Sequence, residues 1–207
     1  MGQRPLGGAN ELALEAARIF VEESLTDYAT AKRKAAERMG LGTRATLPDN
    51  ARVQAEVIAY QRLFGGANYV QRLKRMRTTA VQAMKLLAEF DPRLTGGTIT
   101  GAIGQAHRVQ LHAFPDKAEM VDVFLADRGI ETKESERDFR YGDGRVESVP
   151  MVRFDAGGIE VDVALFEPGQ ERRAPLSPTD GLPGKRLTLA QAEALAAQPV
   201  ETTLHLS

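Results

Sequence analysis

Cysteine is absent from the 207 residues, and so is tryptophan. Without thiols there is no disulfide framework and no thiolate zinc site. That absence favours a reducing compartment. Long apolar runs are also missing. The longest are a few residues, far short of the roughly 20 that a membrane-spanning helix needs. No basic segment leading into a long apolar run opens the chain, so no signal peptide is read. A cytoplasmic protein without a membrane partner is expected. Aromatic residues make up only 6%, and none interleaves the basic runs, which disfavours single-strand nucleic-acid binding. Neither sign of charge is in excess, with 27 Lys+Arg against 28 Asp+Glu.

The charge is unevenly placed. Residues 1–90 carry 14 basic and 9 acidic residues, whereas residues 91–207 carry 13 and 19. Two regions with different surfaces are expected. With 43% hydrophobic residues the composition is that of a folded protein, long enough for one good core or one domain with a helical extension.

The first half has helical periodicity. ELALEAARIFVEESL (11–25) places Leu12, Ala16, Ile19 and Phe20 on one face, with Asn10 as a candidate N-cap. A second helix starts at Thr26 or Asp27 and runs to Met39, closed by Gly40. After the loop LGTRATLPDN, Asp49 or Asn50 caps a third helix with Val53, Val57, Ile58, Leu63 and Phe64 as its stripe, ending at Gly65-Gly66. The longest helix spans about Tyr69 to Phe90 and is stopped by Asp91-Pro92. Arg72, Lys74, Arg75 and Arg77 crowd its first half. They read as a solvated face or as contacts to the acidic half, and more weakly as a nucleic-acid grip. The run Lys32, Arg33, Lys34 reads the same way.

At Arg93 the period becomes alternating. RLTGGTIT reads as a short strand entering a glycine turn. RVQLHAF (108–114) puts Val109, Leu111 and Ala113 on one face and Arg108, Gln110 and His112 on the other. Asp116 with Glu119 suggests a capping box for a helix through Arg128, with Met120, Val121, Phe124 and Leu125 inward. ETKESERDFRY reads as an edge strand and YGDG as a turn. VPMVRFD and IEVDVALF read as a hairpin joined by Ala156-Gly157-Gly158, with Glu160 and Asp162 on one face of the second strand. Residues 168–185 should cross the surface, and Thr188 with Gln191 caps a last short helix. His107 and His112 read as satisfied, partly buried histidines rather than metal ligands. The expected fold is α+β: a helical region over residues 1–91, a small mixed sheet over 92–168 and a tail with a short helix over 169–207.

Three features follow one another between residues 93 and 166: Gly96-Gly97 after a strand, a strand ten residues on, and a hairpin strand bearing Asp162. This order resembles the nucleotidyltransferase superfamily of polymerase β-like and minimal nucleotidyltransferases. Their pattern is Gly-Gly or Gly-Ser, roughly ten residues, Asp-x-Asp on a strand, then a third acid on a later strand. The helical half, through TDYATAKRKAAERMG and LPDN, resembles a bacterial family of this kind to which no activity attaches. The resemblance implies a nucleotidyltransferase-like topology, nucleotide or phosphate contact by Gly96, Gly97, Arg108 and Gln110, and Asp162 with Glu160 as the catalytic acids. In that superfamily such acids bind two divalent cations that activate the attacking oxygen and stabilise the leaving pyrophosphate.

This chain departs from the pattern where it matters most. Arg108 and Gln110 stand at the positions of the first two acids. Arginine has donors only and cannot ligate Mg²⁺, and glutamine is a weak neutral ligand. No residue is assigned as a metal ligand, and Mg²⁺ is implied only if the protein is active. The preferred reading is a catalytically degenerate nucleotidyltransferase-like protein with a regulatory, binding or scaffolding role. A nucleotide, a protein or a second copy is the expected partner. An active NTP-dependent enzyme using Asp162 and Glu160 is the alternative, and a nucleic-acid-associated protein the weaker one. Arg108 is expected to occupy the metal's space and pair with Asp162.

Overall fold

The computed structural model describes residues 7–42 and 45–201. Its described residues form seven α-helices and one five-stranded mixed sheet. None of these helices is long and apolar enough to cross a membrane.

Helices α1 (Gly7–Glu22), α2 (Tyr28–Arg38) and α3 (Asn50–Phe64) pack through their apolar stripes. Leu12, Ile19 and Phe20 meet Ala31 and Ala35 of α2 and Val53 and Val57 of α3 in one buried cluster. The alanines of α2 let these helices approach closely. Asp27 caps α2 by accepting the Thr30 N–H at 2.7 Å, and Asp49 caps α3 through the Arg52 N–H at 2.6 Å. Asn10 lies inside α1 rather than at its start.

Helix α4 (Gly66–Leu86) is the longest, and a 3₁₀ turn (Ala88–Phe90) extends it to Asp91, which adopts φ 46°. It lies on one face of the sheet. Leu73, Met76, Ala80 and Met84 are buried against Val109, Leu111, Val161 and Val163. Each such fully buried large side chain contributes roughly 1.5–3 kcal/mol of transfer free energy. Helices α6 (Glu119–Ala126) and α7 (Leu189–Ala197) complete this layer through Val121, Leu125 and Ala192.

The sheet runs in the order β1 (Arg93–Thr95), β2 (Val109–Ala113), β5 (Glu160–Leu165), β4 (Val146–Asp155), β3 (Thr132–Arg140). β2 and β5 are parallel and every other pair is antiparallel. Helix α5 (Gly97–Thr100) follows β1. The backbone of Leu187 pairs with that of Leu94 and covers part of the β1 edge. The β3 edge is exposed and charged, which discourages strand addition.

The opposite face has a smaller apolar cluster of Phe114, Val149, Ala164 and Phe166 at one end. The tail folds back over it. Arg186 lies over the Phe114 and Phe166 rings at 5.1 and 4.9 Å. Its Nε donates to His112 Nδ1 at 2.9 Å and its Nη1 to the Gln170 carbonyl at 2.8 Å. His112 is thus covered on its face of the sheet, not open to a cleft.

Several boundaries differ from the sequence expectation. Gly66 already belongs to α4, so the glycine pair ends one helix and starts the next with only Gly65 between. Leu63 and Phe64 are exposed, because α3 turns its last apolar residues away from the cluster. Helix α6 starts at Glu119 with Ala118 as its cap and no side-chain cap, so the Asp116–Glu119 box does not form; Met120 points outward. The Thr188–Gln191 capping box does form.

Burial, together with the cations of Arg186 and Arg137, depresses the His112 pKa to about 3. Folded His112 stays neutral where the unfolded chain takes a proton below about 6.5. The unfolded state then binds more protons, so stability falls as pH drops from 6.5 towards 3, by up to about 1.4 kcal/mol per unit from this residue. His112→Gln retains an acceptor for Arg186 and does not titrate. Urea unfolding across this window should show a shallower pH dependence for the variant; equal slopes would contradict the assignment.

Candidate functional site

The site is built on one row of residues across the sheet. Gln110 stands opposite Thr95 on one side and Asp162 on the other, and Asp162 stands opposite Arg153. Because side chains alternate, all four share a face. Glu160 precedes Asp162 by two residues and takes the same face, and Arg108 enters it from the start of β2.

Charges of both signs meet there. Arg108 Nε donates to Glu160 Oε2 at 2.5 Å, while its Nη1 lies 3.9 Å from Asp162 Oδ2. Arg153 Nε donates to Asp162 Oδ1 at 2.5 Å. The close partner of Arg108 is therefore Glu160, and Asp162 is held chiefly by Arg153, which the sequence reading did not single out. Asp162 is the least exposed of the four, its side chain at 13%. The Arg108 guanidinium, aided by Arg153 and Lys133, holds the Glu160 carboxyl below its usual range.

This donor set does not suit a divalent cation. Mg²⁺ needs oxygen ligands in near-octahedral geometry. Both carboxylates already accept from guanidinium groups, and Arg108 lies beside both. Among the described residues no group of three His, Cys, Asp or Glu side chains is placed to share a metal ion.

The glycine turn lies beside this row. Gly96 has φ 76° and ψ −156°, a region open essentially to glycine alone. A Cβ there would also overlap the Gln110 amide oxygen. A Cβ on Gly97 would come within 2.6 Å of the Ala102 carbonyl oxygen and 3.0 Å of the His107 ring. Gln110 thus lies against the turn. The two glycines are needed for packing whatever else they do.

No family model and no curated protein sequence matches the chain. The site must be read from its own geometry.

The segment after α5 is clasped by polar side chains of α3 and α4. Gln61 Nε2 donates to the Ile103 carbonyl at 2.7 Å, and the Tyr69 hydroxyl to the Gly101 carbonyl at 3.1 Å. Arg72 donates to the carbonyls of Gly104, Gln105 and His107. Arg77 reaches the Thr98 carbonyl at 3.4 Å. His107 accepts the Gly104 N–H on Nδ1 at 3.2 Å and meets Phe20 edge-on. Burial, with Arg72 and Arg108 nearby, pushes its pKa down to about 4. Gln61, Tyr69 and Arg77 are themselves buried.

The basic runs are largely engaged locally. Lys32 donates to the Pro48 carbonyl and to Asn50, Lys34 and Arg38 both reach Glu23, and Arg33 reaches Glu37. Arg72 and Arg77 serve the backbone of the turn rather than a solvated face.

Gly96→Ala should lower stability by roughly 1–3 kcal/mol through backbone strain and overlap with Gln110. Adding Gln110→Ala removes the overlap but not the strain. The double variant should regain part of the loss, measured by denaturant midpoint. A double variant no more stable than Gly96→Ala would show that Gln110 does not press on the turn.

Proposed function

We propose that the chain is a nucleotidyltransferase-type scaffold that has exchanged metal chemistry for a binding or regulatory role. The observation that carries this reading is the pair of arginines on the acids: Arg108 on Glu160 and Arg153 on Asp162. A glycine turn after β1 and Gln110 beside Asp162 on the parallel strands β2 and β5 support the reading. On this reading the two guanidinium groups take over from the superfamily's divalent ions and neutralise the acids without a ligand. The half-exposed Arg108–Glu160 pair contributes little net stability, about 0–1 kcal/mol, so its role is to occupy rather than to stabilise.

Gln110 reinforces the closure. Its amide lies against the turn whose N–H groups would otherwise meet a triphosphate. A nucleotide entering there must displace it.

Restoring acids at the two exchanged positions tests the reading. The double variant Arg108→Asp with Gln110→Asp should bind Mn²⁺ at least about tenfold more tightly than wild type, a difference of about 1.4 kcal/mol. Calorimetry supplies the affinities. Wild type binding Mn²⁺ as tightly as the variant would overturn the reading.

A further inference from the structure

Helix α4, Gln105 and the β4–β5 hairpin border an open hollow of about 340 Å³, at the small end of the range for small-molecule sites. Its walls carry Asn68, Gln71, Arg72, Arg75 and Gln105, with Ile159 at the hairpin. It is separate from the row of acids. Ile159 faces the α4 side of the sheet, whereas Glu160 faces the other.

Two cations meet here without a counter-charge. Neither Arg72 nor Arg75 forms an ion pair with a carboxylate among the described residues. Arg72 has Nε and Nη2 on backbone carbonyls, which leaves Nη1 for another acceptor. Arg75 makes a single contact, Nη2 to the Gly157 carbonyl at 3.3 Å, which leaves Nε and Nη1. Burial and the neighbouring Arg75 both act against the charge on Arg72. Like charges one helical turn apart are unfavourable, so an anion between them would relieve the repulsion. Guanidinium N–H groups form short, charge-assisted hydrogen bonds to phosphate oxygens, and both arginines retain N–H groups for them. The three amide side chains add donors and acceptors suited to hydroxyl or base-edge groups.

We propose that this hollow binds a phosphate-bearing small molecule of nucleotide size, its phosphate held between Arg72 and Arg75 and its remainder contacted by Asn68, Gln71 and Gln105. The site does not depend on the reading of the cleft. A hollow of about 340 Å³ matches a discrete small ligand rather than an extended nucleic-acid strand.

The test is calorimetric titration of the full chain with inorganic phosphate, AMP and ATP, without metal and at fixed moderate salt. AMP or ATP should bind more tightly than phosphate. Arg75→Ala should weaken that binding at least about tenfold with an unchanged thermal midpoint, because Arg75 is exposed and makes one weak contact. Lys74→Ala, which removes an exposed cation outside the hollow, should bind as wild type does. The proposal fails if none of the three probes binds, if Arg75→Ala binds unchanged, or if Lys74→Ala loses as much. It also fails if Arg108→Met abolishes binding while Arg75→Ala does not, which would move the ligand to the cleft. Phosphate binding as tightly as AMP would remove the nucleotide-sized part of the claim. A single-stranded oligonucleotide held more tightly than ATP through Arg75 would replace the small ligand by a strand.

Discussion

Glu160 and Asp162 lie two residues apart on one strand, so the pleat puts two carboxylates side by side on one face. Such a pair repels unless something positive lies beside it. In a two-metal site that something is a cation from solution. Here it is the protein: Arg108 from the start of β2 meets Glu160, and Arg153 from β4 meets Asp162. The register of three strands is what brings these groups together, with Gln110, Asp162 and Arg153 in one row. The face is charge-balanced as folded, and it needs no ion to be so.

A second set of contacts holds the turn beside this row. The turn after β1 uses positive φ at Gly96 and Gly101, and neither strand nor long helix satisfies its carbonyls. Side chains of α3 and α4 do so instead, through Gln61, Tyr69, Arg72 and Arg77. The helical layer and the sheet are therefore coupled through polar contacts as well as through the apolar faces of α4 and β2. Helix α4 has two jobs on one surface. Its buried stripe packs the sheet, and its basic residues bind backbone oxygen on one flank while leaving Arg75 towards the hollow.

Much of this was legible in the residues. Helical periodicity and the caps Asp27, Asp49 and Thr188 located most of the helices, and alternation located β2 and β5 with their faces. Alternation also placed Arg108, Gln110 and the two acids on one face. Arg153 was missed, because the loop is one residue longer than its sequence signal. Counting outward from Ala156-Gly157-Gly158 pairs Asp155 with Ile159, whereas Ile159 belongs to the turn, Asp155 meets Glu160 and Arg153 meets Asp162. The surroundings of His112 were not legible, because the tail that covers it arrives from more than 70 residues away through Arg186. The Asp116–Glu119 box failed because local spacing alone does not fix where a helix starts; the backbone at Ala118 is already helical.

If the arginines stand in for metal ions, the protein should not transfer a nucleotide. The most direct test is incubation of the full chain with labelled ATP and Mg²⁺ or Mn²⁺, followed by detection of label on protein, nucleic acid or small acceptors. The account expects no transfer above a no-protein control. Transfer by wild type that Asp162→Asn abolishes would contradict it, since that result would make the acid a metal ligand rather than the partner of Arg153.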